Sequence, residues 1–310
     1  MNNKIIIGSR GSELALWQAN FVKQELERKN KNIQIEIKII NTKGDKIVDV
    51  ALSKIGDKGL FTKELEVKLL KGEIDIAVNS LKDLQTDLPK GLKLACVTKR
   101  HAVEDVLISK KKGLTIDNLK EGATVATGSL RRRAQLKHIR PDFNIVELRG
   151  NVPTRINKFL QSNWDAIILA RAGIERLKLE KYISSVIDKD IILPAVGQGA
   201  LGLEIRNNDK FVEKVVNTIN DENTFASVIA ERAFLKRLEG GCQIPIGAFA
   251  EVKKNGLYIT GIVSSLDGSI TLRKKLLGSK KNAEILGKTL GNFLIKAGAK
   301  TILKEIYNSR

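Results

Sequence analysis

Two spacings alternate along this chain. Ile33, Ile35, Ile37 and Ile39 fall on every second position, as in a strand with one buried face, whereas Leu14, Trp17, Phe21 and Leu26 fall on one side of a helix. The pattern predicts a strand over residues 4–7, a glycine turn over 8–12 with Ser12 as N-cap, and then that helix. A helix over 62–70 and buried strands over 74–78 and 93–97 follow. Further strands at 123–126, 145–148 and 164–170 are each set off by turns, and helices begin at Leu130 and near Pro153. Strands alternating with helices predict α/β units. The run Gly197-Gln198-Gly199-Ala200-Leu201-Gly202 matches GxGxxG, yet Leu201, Leu203 and Ile205 continue as an alternating strand, which excludes a dinucleotide fingerprint. A strand there can carry the chain back to its first unit. From Asp221 a helix bearing Phe225, Val228, Ile229, Phe234, Leu235 and Leu238 runs to Gly240-Gly241, where left-handed backbone is expected to end it. Strands near 249–252, 257–262 and 270–277 and a helix over about 282–297 predict a small α+β unit.

At 310 residues the chain exceeds what one core usually supports. The expected division is a first α/β lobe over 1–99 with 200–218, a second over 100–199, and a third domain over 219–310. Between residues 41 and 59 no period survives, and glycines at 44, 56 and 59 among lysines suggest a mobile basic loop of the kind that serves as a lid. No apolar stretch has the length of a membrane span and no signal-peptide pattern opens the sequence, so a soluble, cytoplasmic protein is expected. Cys96 and Cys242 lie far apart and in no CxxC pattern, which argues against disulfides and structural zinc. With His101 and His138 as the only histidines, a hydrolase triad has little support and acid–base work falls to a carboxylate.

A net charge of +19 suggests nucleic acid, but the lysines are scattered and aromatic residues make up only 5%, which leaves little for base stacking. The arginines are more informative. Arg131, Arg132 and Arg133 occupy the first turn of a predicted helix, where each exposed cation costs about 0.3–1 kcal/mol against the helix dipole unless an anion answers it. Arg149 and Arg155 flank the next strand-to-helix corner and Arg10 stands at the first, so three armed corners predict an anion-binding cleft. Arg176, near the end of a short helix, can equally be a C-terminal dipole partner. Asp83 follows the carboxyl end of a buried strand, where α/β sheets bind ligands, and reads either as a turn residue or cap, or as a reacting group. Cys242 stands between a glycine hinge and Pro245, as a reachable thiol or as a small buried hydrophobe.

Seven ordered motifs then form one picture. Ile7-Gly8-Ser9-Arg10 with Leu14 to Gln18, Lys58-Gly59-Leu60-Phe61 with Lys63-Glu64, Ser80-Leu81-Lys82-Asp83, Gly128-Ser129-Leu130-Arg131-Arg132, Leu148 to Val152, Gly197 to Leu201 and Gly241-Cys242-Gln243-Ile244-Pro245 closely resemble the hydroxymethylbilane synthase, or porphobilinogen deaminase, family. The resemblance implies two periplasmic-binding-protein-like (type II) lobes plus a small α+β C-terminal domain. It implies a monomeric enzyme of tetrapyrrole biosynthesis that joins four porphobilinogens head to tail on a dipyrromethane primer, with no nucleic-acid or membrane partner. By the same match Cys242 carries the primer as a thioether and Asp83 is catalytic. Lys82, Asp83, Thr127, Ser129, Arg131 and Arg132 contact the primer, and Arg10, Ser12, Arg149, Arg155 and Arg176 contact the substrate. Asn79 and Leu81 depart from the family's usual histidine and methionine beside Asp83, residues 101–105 depart from the usual start of the second lobe, and Arg171 is unusual. The rivals are a solute-binding protein of the same two-lobe form and a nucleic-acid binder.

Overall fold

The computed structural model describes residues 4–46, 59–239 and 244–308. The chain opens with β1 (Lys4–Ser9), α1 (Glu13–Lys29), β2 (Gln34–Ile39), α2 (Lys43–Lys46), α3 (Lys63–Leu70), β3 (Ile76–Ser80), a 3-10 turn Leu81–Asp83 and β4 (Leu92–Val97). It crosses to β5 (Asp105–Ser109), β6 (Thr124–Ala126), α4 (Leu130–Ile139), β7 (Asn144–Val146), α5 (Val152–Gln161), β8 (Ala166–Ala170), α6 (Arg171–Arg176) and β9 (Ile183–Ile187). Next come β10 (Leu201–Arg206) and α7 (Lys210–Asn217). Last are α8 (Glu222–Arg237), β11 (Ile246–Lys253), β12 (Gly256–Ser264), β13 (Thr271–Gly278), α9 (Ala283–Lys296) and α10 (Ala299–Asn308).

The first sheet has the order β2-β1-β3-β10-β4 and the second β7-β6-β8-β5-β9. In each the middle strands run parallel and one strand that has come from the other lobe lies antiparallel: β10 in the first, β5 in the second. Two α/β lobes exchanging the chain in this way, beside an antiparallel β11-β12-β13 sheet under helices, form the expected periplasmic-binding-protein-like architecture with a small α+β domain. Ile76, Ala77 and Val78 are all buried, as an interior strand covered on both faces requires. Helices α1, α4, α5 and α8 start at side-chain caps: Ser12 accepts from Ala15 N, Ser129 from Arg132 N, Asn151 from Thr154 N and Asp221 from Thr224 N.

Three glycines of the GxGxxG run owe their place to crowding. A Cβ on Gly202 would stand 2.5 Å from Leu81 Cδ1, and Gly197 (φ +72°) and Gly199 (φ +86°) are left-handed, Gly199 facing the His101 and Ala102 carbonyl oxygens at 2.7 Å. The returning segment thus lies flush against both the outgoing one and the Leu81 turn. Glu231 of α8, fully buried, fastens the third unit to these crossings by accepting from Arg100 at 2.5 and 3.1 Å and from the Gly197 and Ala250 backbone nitrogens at 2.7 Å each.

Some expectations need correction. On α1 the buried residues are Gln18, Ala19, Val22 and Leu26, while Leu14, Trp17 and Phe21 are half-buried, because that side faces the second lobe, where the Arg176 guanidinium lies 5.5 Å from the Trp17 ring. Strands β5 and β9 and helices α7 and α10 went unread. Left-handed backbone after α8 falls on Glu239 (φ 55°), ahead of the glycines. Gly240, Gly241 and Cys242 lie outside the described residues, as does most of the 41–59 loop.

Candidate active site

The carboxyl end of β3 tightens into the Leu81–Asp83 turn, anchored by a hydrogen bond from Leu81 N to Ala200 O at 3.1 Å. Across from it α1 begins, and Gln18 Nε2 donates to Ser80 Oγ at 2.8 Å, tying helix to strand end. Arg10, Ser12, Gln18, Phe61, Asn79, Ser80 and Asp83 together line a small cleft of about 60 Å³ that opens to solvent. The Arg10 guanidinium stacks over Phe61 at 4.2 Å, and Ser12 is occupied in capping α1.

The second lobe brings its cations to the same place. Burial pushes the Lys82 ammonium down to about 8; Asp83 and Asp105 pull it up, and Arg132 and Arg155 push it further down. Burial likewise lowers Arg155 to about 10, with Arg132, Asp83 and Arg149 among the charges it feels, while its Nε donates to Gly150 O at 2.7 Å. Lys82 of one lobe therefore faces Arg132 and Arg155 of the other, and Asp83 faces Arg155, which has Arg149 beside it. Thr127 and Ser129 serve the start of α4: Thr127 Oγ1 accepts from Ser129 N at 3.3 Å, and Ser129 Oγ from Arg132 N at 3.5 Å. Arg176 sits at the lobe boundary, 8% exposed, with Nη2 donating to Gly199 O at 2.9 Å; burial lowers it to about 10. It is thus more than a dipole partner for α6.

The anion that answers the arginines of α4 is internal. Asp105, fully buried, accepts from Arg131 Nη2 at 2.8 Å, Arg132 Nη2 at 2.7 Å and Gln198 Nε2 at 2.9 Å. Burial alone would raise its carboxyl, but the two guanidinium charges and their hydrogen bonds hold it well below the usual range. Neither Asp105 nor Gln198 was singled out by the sequence reading. The available signal was the first turn of α4, with three arginines and no acid, together with an Asp opening the apolar run Val106-Leu107-Ile108. One carboxylate does not exhaust the donors. Among the described residues the buried nitrogens Arg131 Nε, Arg132 Nε, Arg149 Nη1 and Arg176 Nε meet no hydrogen-bond partner, and a ligand bearing several carboxylates fits such forks. Cys96 is buried in the first lobe, its thiol pushed up to about 12 and so unreactive.

Among the described residues no helix is long and apolar enough to cross a membrane. Residues 5–214 match the profile described as porphobilinogen deaminase, dipyromethane cofactor binding domain, and residues 225–296 match that of the porphobilinogen deaminase C-terminal domain. The chain is 50% identical over 306 residues to the porphobilinogen deaminase of Carboxydothermus hydrogenoformans, covering 99% of this chain and 98% of that one. It is 49% identical over 308 residues to that of Prochlorococcus marinus (strain MIT 9215), covering 99% and 97%. Among solved structures it is similar to the methionine-binding protein MetQ, with a TM-score of 0.45 and 17% identity over 71% of this chain and 91% of that one. By the profiles that span both its lobes and its C-terminal unit, and by full-length identity near one half, this chain belongs to the porphobilinogen deaminase family and carries that family's dipyrromethane-cofactor-binding domain.

Proposed function

We propose that this chain is a hydroxymethylbilane synthase in which Asp83 is the catalytic carboxylate, Cys242 carries the dipyrromethane by a thioether, and the arginines of the lobe boundary hold the carboxylates of the growing chain. The reaction condenses four porphobilinogens head to tail, releases ammonia at each addition and ends with hydrolysis to hydroxymethylbilane. The observation that carries the reading is one carboxylate, Asp83, set beside Lys82 and facing Arg155 across the lobes.

Bound dipyrromethane supplies the pyrrole end onto which porphobilinogen is added. Arg131, Arg132, Lys82, Thr127 and Ser129 would hold it, and Arg10, Ser12, Arg149, Arg155 and Arg176 the incoming porphobilinogen, whose acetate and propionate suit the unfilled guanidinium donors. Asp83 stabilises the positive charge that develops on porphobilinogen's aminomethyl carbon as ammonia leaves, and its carboxylate oxygens can accept a proton there. Lys82 and Arg155 are buried and so weakly screened, which lets the charge of one neighbouring carboxylate count. We read the protein as a cytoplasmic monomer without a nucleic-acid partner. Its proposed units are residues 1–99 with 200–218, 100–199 and 219–310.

Intact mass tests the attachment. The purified protein should carry a covalent excess equal to two condensed porphobilinogen units, absent from Cys242→Ser; an active protein without the excess removes the thioether from the mechanism. A second expectation concerns pH. Because burial holds Lys82 near 8, raising the pH through that value discharges it, so KM for porphobilinogen should rise in alkali. Lys82→Arg, charged throughout, should lack that rise.

A further inference from the structure

Behind the cleft wall lies a pair of carboxyl groups that the chemistry above leaves unused. Glu204 on β10 is fully buried and Glu66 on α3 is 4% exposed. Register sets Glu204 opposite Ala77 of β3, and Asn79, two residues on, donates from Nδ2 to Glu204 Oε1 at 2.6 Å. Asn79 is itself part of the cleft lining that includes Asp83. Among the described residues Glu204 Oε2 has no hydrogen-bond partner, while the Thr62 hydroxyl at the start of α3 stands against Glu66 and draws its carboxyl down a little.

The charges facing the pair are Lys63 and Glu64 beside Glu66, and Arg232 of α8 toward Glu204. From β4 comes the uncharged Leu94, paired with Glu204. An ionised carboxylate with an unfilled oxygen at this depth costs far more than a protonated acid. Burial, reinforced by Glu66, accordingly pushes Glu204 up to about 8, and burial raises Glu66 as well.

We propose that Glu204, protonated at neutral pH, is a positioning residue that holds Asn79 and with it the Asp83 wall of the cleft, and that loss of its proton slows turnover in alkali. It rests on the reading of Asp83 given above. Once ionised, the buried carboxylate must draw water or a cation toward itself, and its bond to Asn79 is the contact that leads to the cleft.

The test uses the primer-bearing enzyme and two readouts. Without substrate, Tm should fall as the pH rises from 4.5 toward about 8. There the folded state keeps a proton that the unfolded chain has released, so folding loses ground with rising pH. At saturating porphobilinogen, kcat at pH about 9 should lie below that at pH about 7 by roughly threefold or more. Glu204→Gln, which copies the protonated shape and cannot ionise, is expected to flatten the Tm decline and bring the ratio of the two kcat values close to one. Glu66→Gln, which removes only a neighbouring charge, should move both transitions to lower pH. An unchanged ratio in Glu204→Gln overturns the proposal even if the Tm decline flattens, because the proton would then be held without reaching Asn79. A Tm decline as steep as the wild type's in that variant overturns it as well. Asp83→Asn leaves the Tm decline in place, so failure of the Asp83 reading shows separately.

Discussion

Asp83→Asn is expected to cut kcat by about a hundred- to ten-thousand-fold while the covalent primer stays in place. Amide for carboxylate preserves the shape of the Leu81–Asp83 turn, whose anchor is the Leu81 backbone, so the loss is chemical rather than structural. It removes the negative charge that faces the site's cations. Kinetics at saturating porphobilinogen, with intact mass to show that the primer is present, separate turnover from assembly. A second readout follows from the electrostatics. Asp83 pulls the Lys82 ammonium up against burial, so its loss should lower Lys82 below its present value near 8 and move the rise of KM to lower pH. Near-normal kcat in this variant would remove Asp83 from the chemistry, whatever happens to Lys82.

The largest effect on stability is expected at Asp105. Asp105→Asn leaves Arg131 and Arg132 buried with no carboxylate between them, and breaking a buried ion group in this way costs about 3–5 kcal/mol, a fall in Tm on the order of 10 °C. Residual enzyme should also carry less primer by intact mass, since the orientation of both forks is fixed by that carboxylate. The sign with pH is definite. The Asp105 carboxyl is held below an ordinary aspartate's 3.8, so its stabilisation is complete above that value and is lost as acid takes the pH beneath it. Thermal melts of the wild type and variant from neutral pH into acid check both points: the two curves should converge at the acid end. A variant within about 1 kcal/mol of wild type at neutral pH would mean that the arginines can find other partners.

Particular residues show where sequence reading stopped. Ser12, Ser129, Asn151 and Asp221 were legible as helix starts or turns because a cap is a contact with backbone three residues away. The return strand β10 was legible because Leu201, Leu203 and Ile205 alternate, which also disposed of the glycine motif. Arginine at the start of α4 was read as a demand for a bound anion, whereas the carboxylate it meets belongs to the chain. Its answer, Asp105, stands 26 residues from Arg131 and 27 from Arg132, on a strand whose apolar residues carry no period that marks it as β rather than core helix. Asn79 and Glu204, 125 residues apart, are joined only because β10 inserts beside β3.

Local order and the kinds of chemistry available were thus set by the sequence alone: strands that end in turns, helices that begin with caps, cations at three corners and a carboxylate after β3. Tertiary structure decided which of these groups meet and in what state of charge. Contacts across the lobes depend on strand order, which no local period encodes. Ionisation depends on how much water is left, so Lys82 at the lobe boundary, Asp105 inside the second lobe and Glu204 inside the first depart from their ordinary behaviour only once the fold has closed around them.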